Sequence, residues 1–551
     1  MHRIASAKKL AFSLFVGLTL WAGEPLKKLA PLLDQIDGEY IRKHVEVLGS
    51  DRMQGRATGS PGERLAAEYI RAKLKEYDIA PAQGRRSYFQ NIPLHGSRPL
   101  SSSQFALHLD GDTIHYKLGQ DYVLFNSGAQ TFIPQPLPLV FVGHGIVAPE
   151  FDYNDYQHVD VTDKIVVYLS GEPLSDDPAY FDGARPTIYS YAESKERIAI
   201  SRGARGCILI PNPDEMHTSW ETKTIEFSFE DVRLAYAVTD IFSAMINPSA
   251  ALDLFQQSKH SFGEILQWYH KRLMFSFDLQ AHVSFKGQFE ARDFFSRNII
   301  AEVRGTDPKL RDSYLILSAH YDHLGVGPPV QGDSIYNGVV DNAIGTAALL
   351  EIARAMQLSP PKRSVLFLFL TGEEKGLLGS TYYIDNPVVP HYKTIANINI
   401  DGLAIFDTFK DVIGFGAELS SLKESLQQTA ALLGLQVAEL PPAFARVESF
   451  ARSDQISFAK AGIPAALVME GVQFDHFTQQ AGLQKHINWM RNIYHSPFDD
   501  LLQPIQWNAA EQHCQLLLAW AWQLSNAHET PKWQAGTPYL TARLQSIAEQ
   551  R

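Results

Sequence analysis

The 551-residue chain has only two cysteines, Cys207 in the apolar run Gly206 to Ile210 and Cys514 in a helical pattern near the C-terminus. Two such residues furnish no thiolate cluster, and their settings are those of buried small hydrophobes rather than of a disulfide. Any metal must therefore be held by histidine and carboxylate. Basic charge is also in deficit: 49 Lys and Arg against 61 Asp and Glu give a net charge of −12, which argues against nucleic acid or an anionic membrane as the main partner. Beyond the N-terminus no run is long and apolar enough to cross a bilayer. Internal repeats and low-complexity tracts are lacking as well, so neither a solenoid nor a disordered array is expected.

What is present begins with a leader-like segment. Arg3, Lys8 and Lys9 precede the apolar stretch Leu10 to Ala22, and the small residues Ala22 and Gly23 stand before Glu24. Residues 1–23 read as a secretory signal peptide, with no cysteine at its end for a lipid anchor. A secreted or periplasmic protein with no membrane anchor after its removal is expected.

A composition of 45% hydrophobic and 20% charged residues is that of a globular protein, and the length calls for two or three domains. Residues 24–136 read as a helical lead-in and part of the main domain. Within them Ser60, Pro61 and Glu63 form a candidate capping box before Leu65, Ala66, Tyr69, Ile70 and Leu74, which recur at helical spacing. Residues 137–287 change to short β-like runs and polar turns, an inserted β-rich domain in which His144 reads as a turn or surface residue. From 288 to 528 strands alternate with helices, and 529–551 form a tail. The fold class expected is α/β, a mainly parallel mixed sheet flanked by helices.

Chemistry-bearing residues gather at strand ends. Tyr314 to Ser318 leads to His320-Tyr321-Asp322, Val365 to Leu370 to Glu373-Glu374, and Thr394 to Ile400 to Asp401. In open α/β sheets, sites form beyond the carboxyl ends of the strands. Asp341 opens an apparent helix, where an aspartate is ordinarily a cap but is also able to bridge two cations. His495 lies in a late loop, with Asp499 as a candidate acceptor behind it. Two imidazoles and three carboxylates suit a pair of borderline divalent ions. The adjacent acids Glu373 and Glu374 repel each other, a conflict removed if Glu374 binds metal and Glu373 handles a proton. Asp322 is placed to fix the tautomer of His320. His323, His476 and His486 read as surface or groove residues.

Together these motifs resemble the zinc aminopeptidase family M28, in which a His, a bridging Asp, a Glu-Glu pair, an Asp and a late His occur in this order. The resemblance covers Asn298 to about Ser525 and implies the zinc-dependent exopeptidase fold with two zinc ions per chain. It implies that His320 and Asp401 bind one metal, Glu374 and His495 the other, that Asp341 bridges, that Glu373 is the general base and that Asp322 supports it. The insert resembles the protease-associated domain of many members, through Val140 to Ile146, Asp160 to Leu169 and Gly203 to Ile210. Ile344 and Gln455 depart from the family pattern, which usually has Ser and His there. The expected function is removal of N-terminal residues from peptide substrates by metal-activated water. Alternatives are a carboxypeptidase of the family, for which Arg446, Arg452 and Arg491 flank the pocket, a single-zinc glutaminyl cyclase, and a receptor-like relative that binds without cutting. Phe444, Phe450, Phe474, Phe477 and Trp489 line either a substrate pocket or ordinary packing under loops.

Overall fold

The computed structural model describes residues 24–126, 131–181, 183, 187–216, 219–239, 241–439 and 450–550. The leader at 1–23 lies outside them, as do Phe444 and Arg446. The described chain divides into two compact units, one of residues 24–92, 295–439 and 450–550 and one of residues 93–294.

In the first unit four strands run parallel, in the order Ser364–Leu370, Tyr314–His320, Thr394–Asn399 and Ala465–Glu470. Residues 299–303 of Phe289–Val303 add an antiparallel strand beside Ser364–Leu370, and Asp411–Phe415 adds one beside Ala465–Glu470. This is the mixed, mainly parallel sheet expected. The strands are unbroken apolar runs because both faces are covered. Leu315, Leu317, Val365 and Phe367 pack with helices Gly38–Leu48, Pro61–Glu76, Ile344–Leu358 and Trp507–Asn526. Ile316, Leu366 and Leu368, one residue out of step, pack with Leu378–Asp385 and Gln455–Lys460. Successive side chains of a strand point to opposite faces, so two cores sandwich one sheet.

Local chemistry sets the element ends. Ser60 accepts the backbone N–H of Glu63 at 3.1 Å, as in a capping box, but the Glu63 carboxylate takes the N–H of Gly59 at 2.7 Å rather than that of Ser60. The helix expected from residue 342 starts at Ile344, preceded by one wide π turn over Val339–Ala343.

The second unit begins at Pro93, whereas the sequence pattern opens it at Leu137. The reason is long-range pairing. Gln104–Leu109 forms a hairpin with Asp112–Tyr116 and pairs with Ser276–Lys286, while Tyr122–Asn126 pairs with Phe242–Ile246. Phe132–Val142, Ile165–Leu169, Gly206–Ile210 and Phe242–Ile246 form a parallel centre. His144 is buried at its turn, not at the surface, and burial together with the Lys195 charge pushes its pKa down to about 3. Cys207 and Cys514 are free, buried and in different units.

Candidate metal centre

His320 is the last residue of its strand, Glu373 and Glu374 follow Ser364–Leu370, and Asp401 follows Thr394–Asn399. Asp341 sits in the π turn and His495 follows helix Gln479–Asn492. Neighbouring parallel strands bring the first four to one edge, and the loops bring the other two over it.

The side chains form two half-sites that share one carboxylate. Asp341 Oδ1 lies 3.3 Å from His320 Nε2, and Asp341 Oδ2 lies 3.3 Å from His495 Nε2. His320 Nε2 is 3.2 Å from Asp401 Oδ1, and His495 Nε2 is 3.1 Å from Glu374 Oε2. Asp341 is thus not the cap of its helix; Asn342 Oδ1 accepts the N–H of Gly345 at 3.0 Å instead. His495 has a φ of +54°, a left-handed conformation uncommon outside glycine.

Electrostatics mark the same place. Burial disfavours charge on His320, but Glu373, Asp401 and Asp341 outweigh it and hold its pKa well above the usual histidine range. Burial likewise opposes charge on His495, yet Glu374 and Asp341 raise it to about 10. Against the penalty of burial, Asp341 is held below the carboxylate range by His320, His495 and His323, and Glu374 by His495 and His323. Glu373 differs: burial, with Asp401 and Glu374 nearby, raises its carboxyl well above the ordinary value despite His320.

The donor set suits a metal ion. Donor atoms of His320, Asp341 and Glu374 lie within 4.8 Å of one another, as do those of His320, Glu373 and Asp401. His495 Nε2 is buried without a hydrogen-bond partner although two carboxylate oxygens converge on it. Histidine nitrogen with carboxylate oxygen is a zinc-type donor set.

The supporting residues depart from expectation in three places. The Asp322 carboxylate is not the partner of the His320 ring, whose Nδ1 is hydrogen-bonded at 3.2 Å to the backbone oxygen of Asp322 and lies 3.8 Å from its carboxylate. The Asp322 carboxylate instead accepts from the Thr58 hydroxyl at 3.0 Å and from the backbone N–H of Glu373 at 3.2 Å. Asp499 does not reach His495 as an acceptor; it accepts the N–H groups of Val340 and Asp341 at 2.9 and 3.0 Å and so holds the π turn. His323, read from sequence as peripheral, is fully buried with Nδ1 2.6 Å from Glu374 Oε1. Its spacing of three from His320 was the available signal. Gly338 makes room for it, since a Cβ there would lie 2.4 Å from His323 Cγ.

Other candidates fall elsewhere. His476 is exposed against Asp407, and Phe474 is buried in the core with Phe477 and Trp489 packed against it. Phe450 packs against the second core. Tyr494 stacks on His495 with ring centroids 3.8 Å apart, and the Arg452 guanidinium lies 6.0 Å from the Tyr494 ring centre.

Residues 298–521 match the model of peptidase family M28. This segment is similar to the M28 peptidases. Curated relatives of this domain include leupeptin-inactivating enzyme 1 of Streptomyces exfoliatus, 28% identical over 33% of this chain and 38% of that protein. Leucine aminopeptidase 2 of Trichophyton equinum is 35% identical over 16% of each. The chain therefore spans well under half the length of these relatives. Among solved structures, an aminopeptidase from Aneurinibacillus sp. strain AM-1 superposes with a TM-score of 0.56 at 19% identity, covering 91% of this chain and 96% of that one. That likeness extends the shared fold beyond the M28 segment.

Proposed function

We propose that the protein is a two-zinc exopeptidase that removes N-terminal residues from peptides. The observation that carries this reading is the Asp341 carboxylate, which offers one oxygen to each of two histidine and carboxylate pairs. His320, Asp341 and Asp401 would hold one ion, and His495, Asp341 and Glu374 the other. Zinc there would supply Lewis acidity, polarising a scissile carbonyl and acidifying water.

Glu373 is assigned the proton transfer. It adjoins His320 and Asp401, and burial with the neighbouring carboxylates Asp401 and Glu374 raises its affinity for a proton above that of an ordinary carboxylate. It would accept a proton from the attacking water and return it to the leaving amine. Asp322 would steady it by accepting its backbone N–H.

A carboxypeptidase reading draws on Arg452, which lies one aromatic ring away from His495. A blocked-end peptide pair decides between them. The aminopeptidase reading predicts that N-acetylation stops cleavage and C-amidation does not, and the reverse pattern overturns it. A secreted or periplasmic location, and a protease-associated role for the second unit, complete the proposal.

A further inference from the structure

Arg56 is completely buried in the first unit, and all four of its hydrogen bonds go to backbone carbonyls rather than to a carboxylate. Its Nε donates to Tyr321 O at 2.8 Å, Nη1 to Leu48 O at 2.7 Å and Asn337 O at 2.6 Å, and Nη2 to Gly338 O at 2.7 Å. These carbonyls belong to three separate stretches of chain. Tyr321 follows His320, Asn337 and Gly338 lead into the turn that carries Asp341, and Leu48 ends helix Gly38–Leu48. One planar guanidinium thus ties the segment of the first histidine to that of the shared carboxylate, with the helix end as the third support.

A buried cation without a paired anion is costly unless its charge is used. Here Asp499, Asp322, Asp341 and Glu374 supply a field that favours it, while burial lowers its pKa only to about 10, so it stays charged at neutral pH. The fork also explains the residue type. Four acceptors in three directions match the fixed donors of arginine, whereas a lysine has a single ammonium and cannot span them.

We infer that Arg56 is a positioning residue of the metal centre, setting the separation of the His320 and Asp341 segments so that both half-sites bind metal tightly. The inference rests on the two-zinc reading above. Arg56 hydrogen-bonds to none of the candidate ligands; it acts through Tyr321, Asn337 and Gly338. Asn337 belongs to the same device, because its side-chain amide donates to Gly49 O and to Asp51 at 3.0 Å each and so fixes the carbonyl that Arg56 uses.

The test is zinc affinity of the full-length protein, read by competition with a chelating indicator, alongside kcat, KM and thermal melting of the zinc-free form. R56K keeps charge and approximate size but loses the fork. It is expected to remain folded, to bind at least one zinc ten-fold or more weakly, and to lose kcat by a similar factor with KM little changed. N337A, which leaves Arg56 in place, is expected to show a several-fold loss of zinc affinity and keeps the test available if R56K does not fold. Wild-type zinc affinity and kcat in folded R56K, or in N337A where R56K does not fold, would overturn the inference. A wild-type protein that binds no zinc would instead overturn the two-zinc reading itself.

Discussion

Asp341 and His495 meet through a single pair of atoms, Oδ2 and Nε2 at 3.3 Å, while the other oxygen of the same carboxylate lies 3.3 Å from His320. The two halves of the centre are therefore not independent. Asp341→Asn keeps the shape but removes the charge shared by both. Zinc content of the purified variant is expected to fall below that of the wild type at both sites, with kcat reduced about a thousand-fold or more, on the scale expected for loss of a key electrostatic group. Full occupancy with near-normal turnover would show that Asp341 does not bridge.

Glu373 and Glu374 separate by function. Glu373→Gln is expected to retain zinc and lose kcat by about 10²–10⁴, the usual contribution of a positioned acid or base. Glu374→Gln is expected to lose zinc first. Metal analysis beside kcat on the two variants checks this, and equal zinc loss in both would place Glu373 among the ligands.

His323 holds the Glu374 oxygen that His495 does not meet. His323→Phe keeps a ring in the space but removes the contact, and zinc affinity is expected to weaken about 10- to 100-fold, as for other groups that orient ligands. A chelator titration reads this directly.

Zinc uptake is expected to release protons. Because His495 has a pKa of about 10 without metal, it carries a proton at pH 7.5 that zinc must displace. Apparent affinity should rise about ten-fold per pH unit for each proton released. Calorimetry in buffers of different ionisation enthalpy measures the number, and a value of zero would contradict the arrangement.

Glu63 links the lead-in to the sheet. Its buried carboxylate accepts from Thr371, Ser296 and Gly59, and burial pushes its pKa up to about 7 from 4.5. A carboxyl raised on folding holds a proton that the unfolded chain has lost, so stability falls as pH rises from 4.5 to 7. The shift corresponds to about 3 kcal/mol. Glu63→Gln removes the titration, so denaturant unfolding of the variant is expected to lose less stability than the wild type over that interval.

The clustering of the candidate residues was legible in the sequence because parallel strands covered on both faces appear as apolar runs with these residues at their ends. His320, Glu374 and Asp401 needed only that pattern, and Asp341 and His495 needed their order along the chain. The second-unit boundary at Pro93 was not legible, since the pairing of Gln104–Leu109 with Ser276–Lys286 joins segments far apart. Nor were the roles of His323, Asp499 and Arg56. Each depends on a contact across loops, His323 to Glu374, Asp499 to the Asp341 turn and Arg56 to Tyr321 and Gly338. No local periodicity encodes such contacts.

The most direct test of the central claim is zinc stoichiometry joined to cleavage. Purified protein is stripped by chelation, then titrated with zinc while hydrolysis of a free-amine aminoacyl substrate and its N-acetylated form is followed. Two zinc ions per chain, activity lost on stripping and regained on titration, and cleavage of the free-amine substrate alone are the predicted results. One ion or none at full activity, or cleavage indifferent to chelation, would contradict the shared-carboxylate centre.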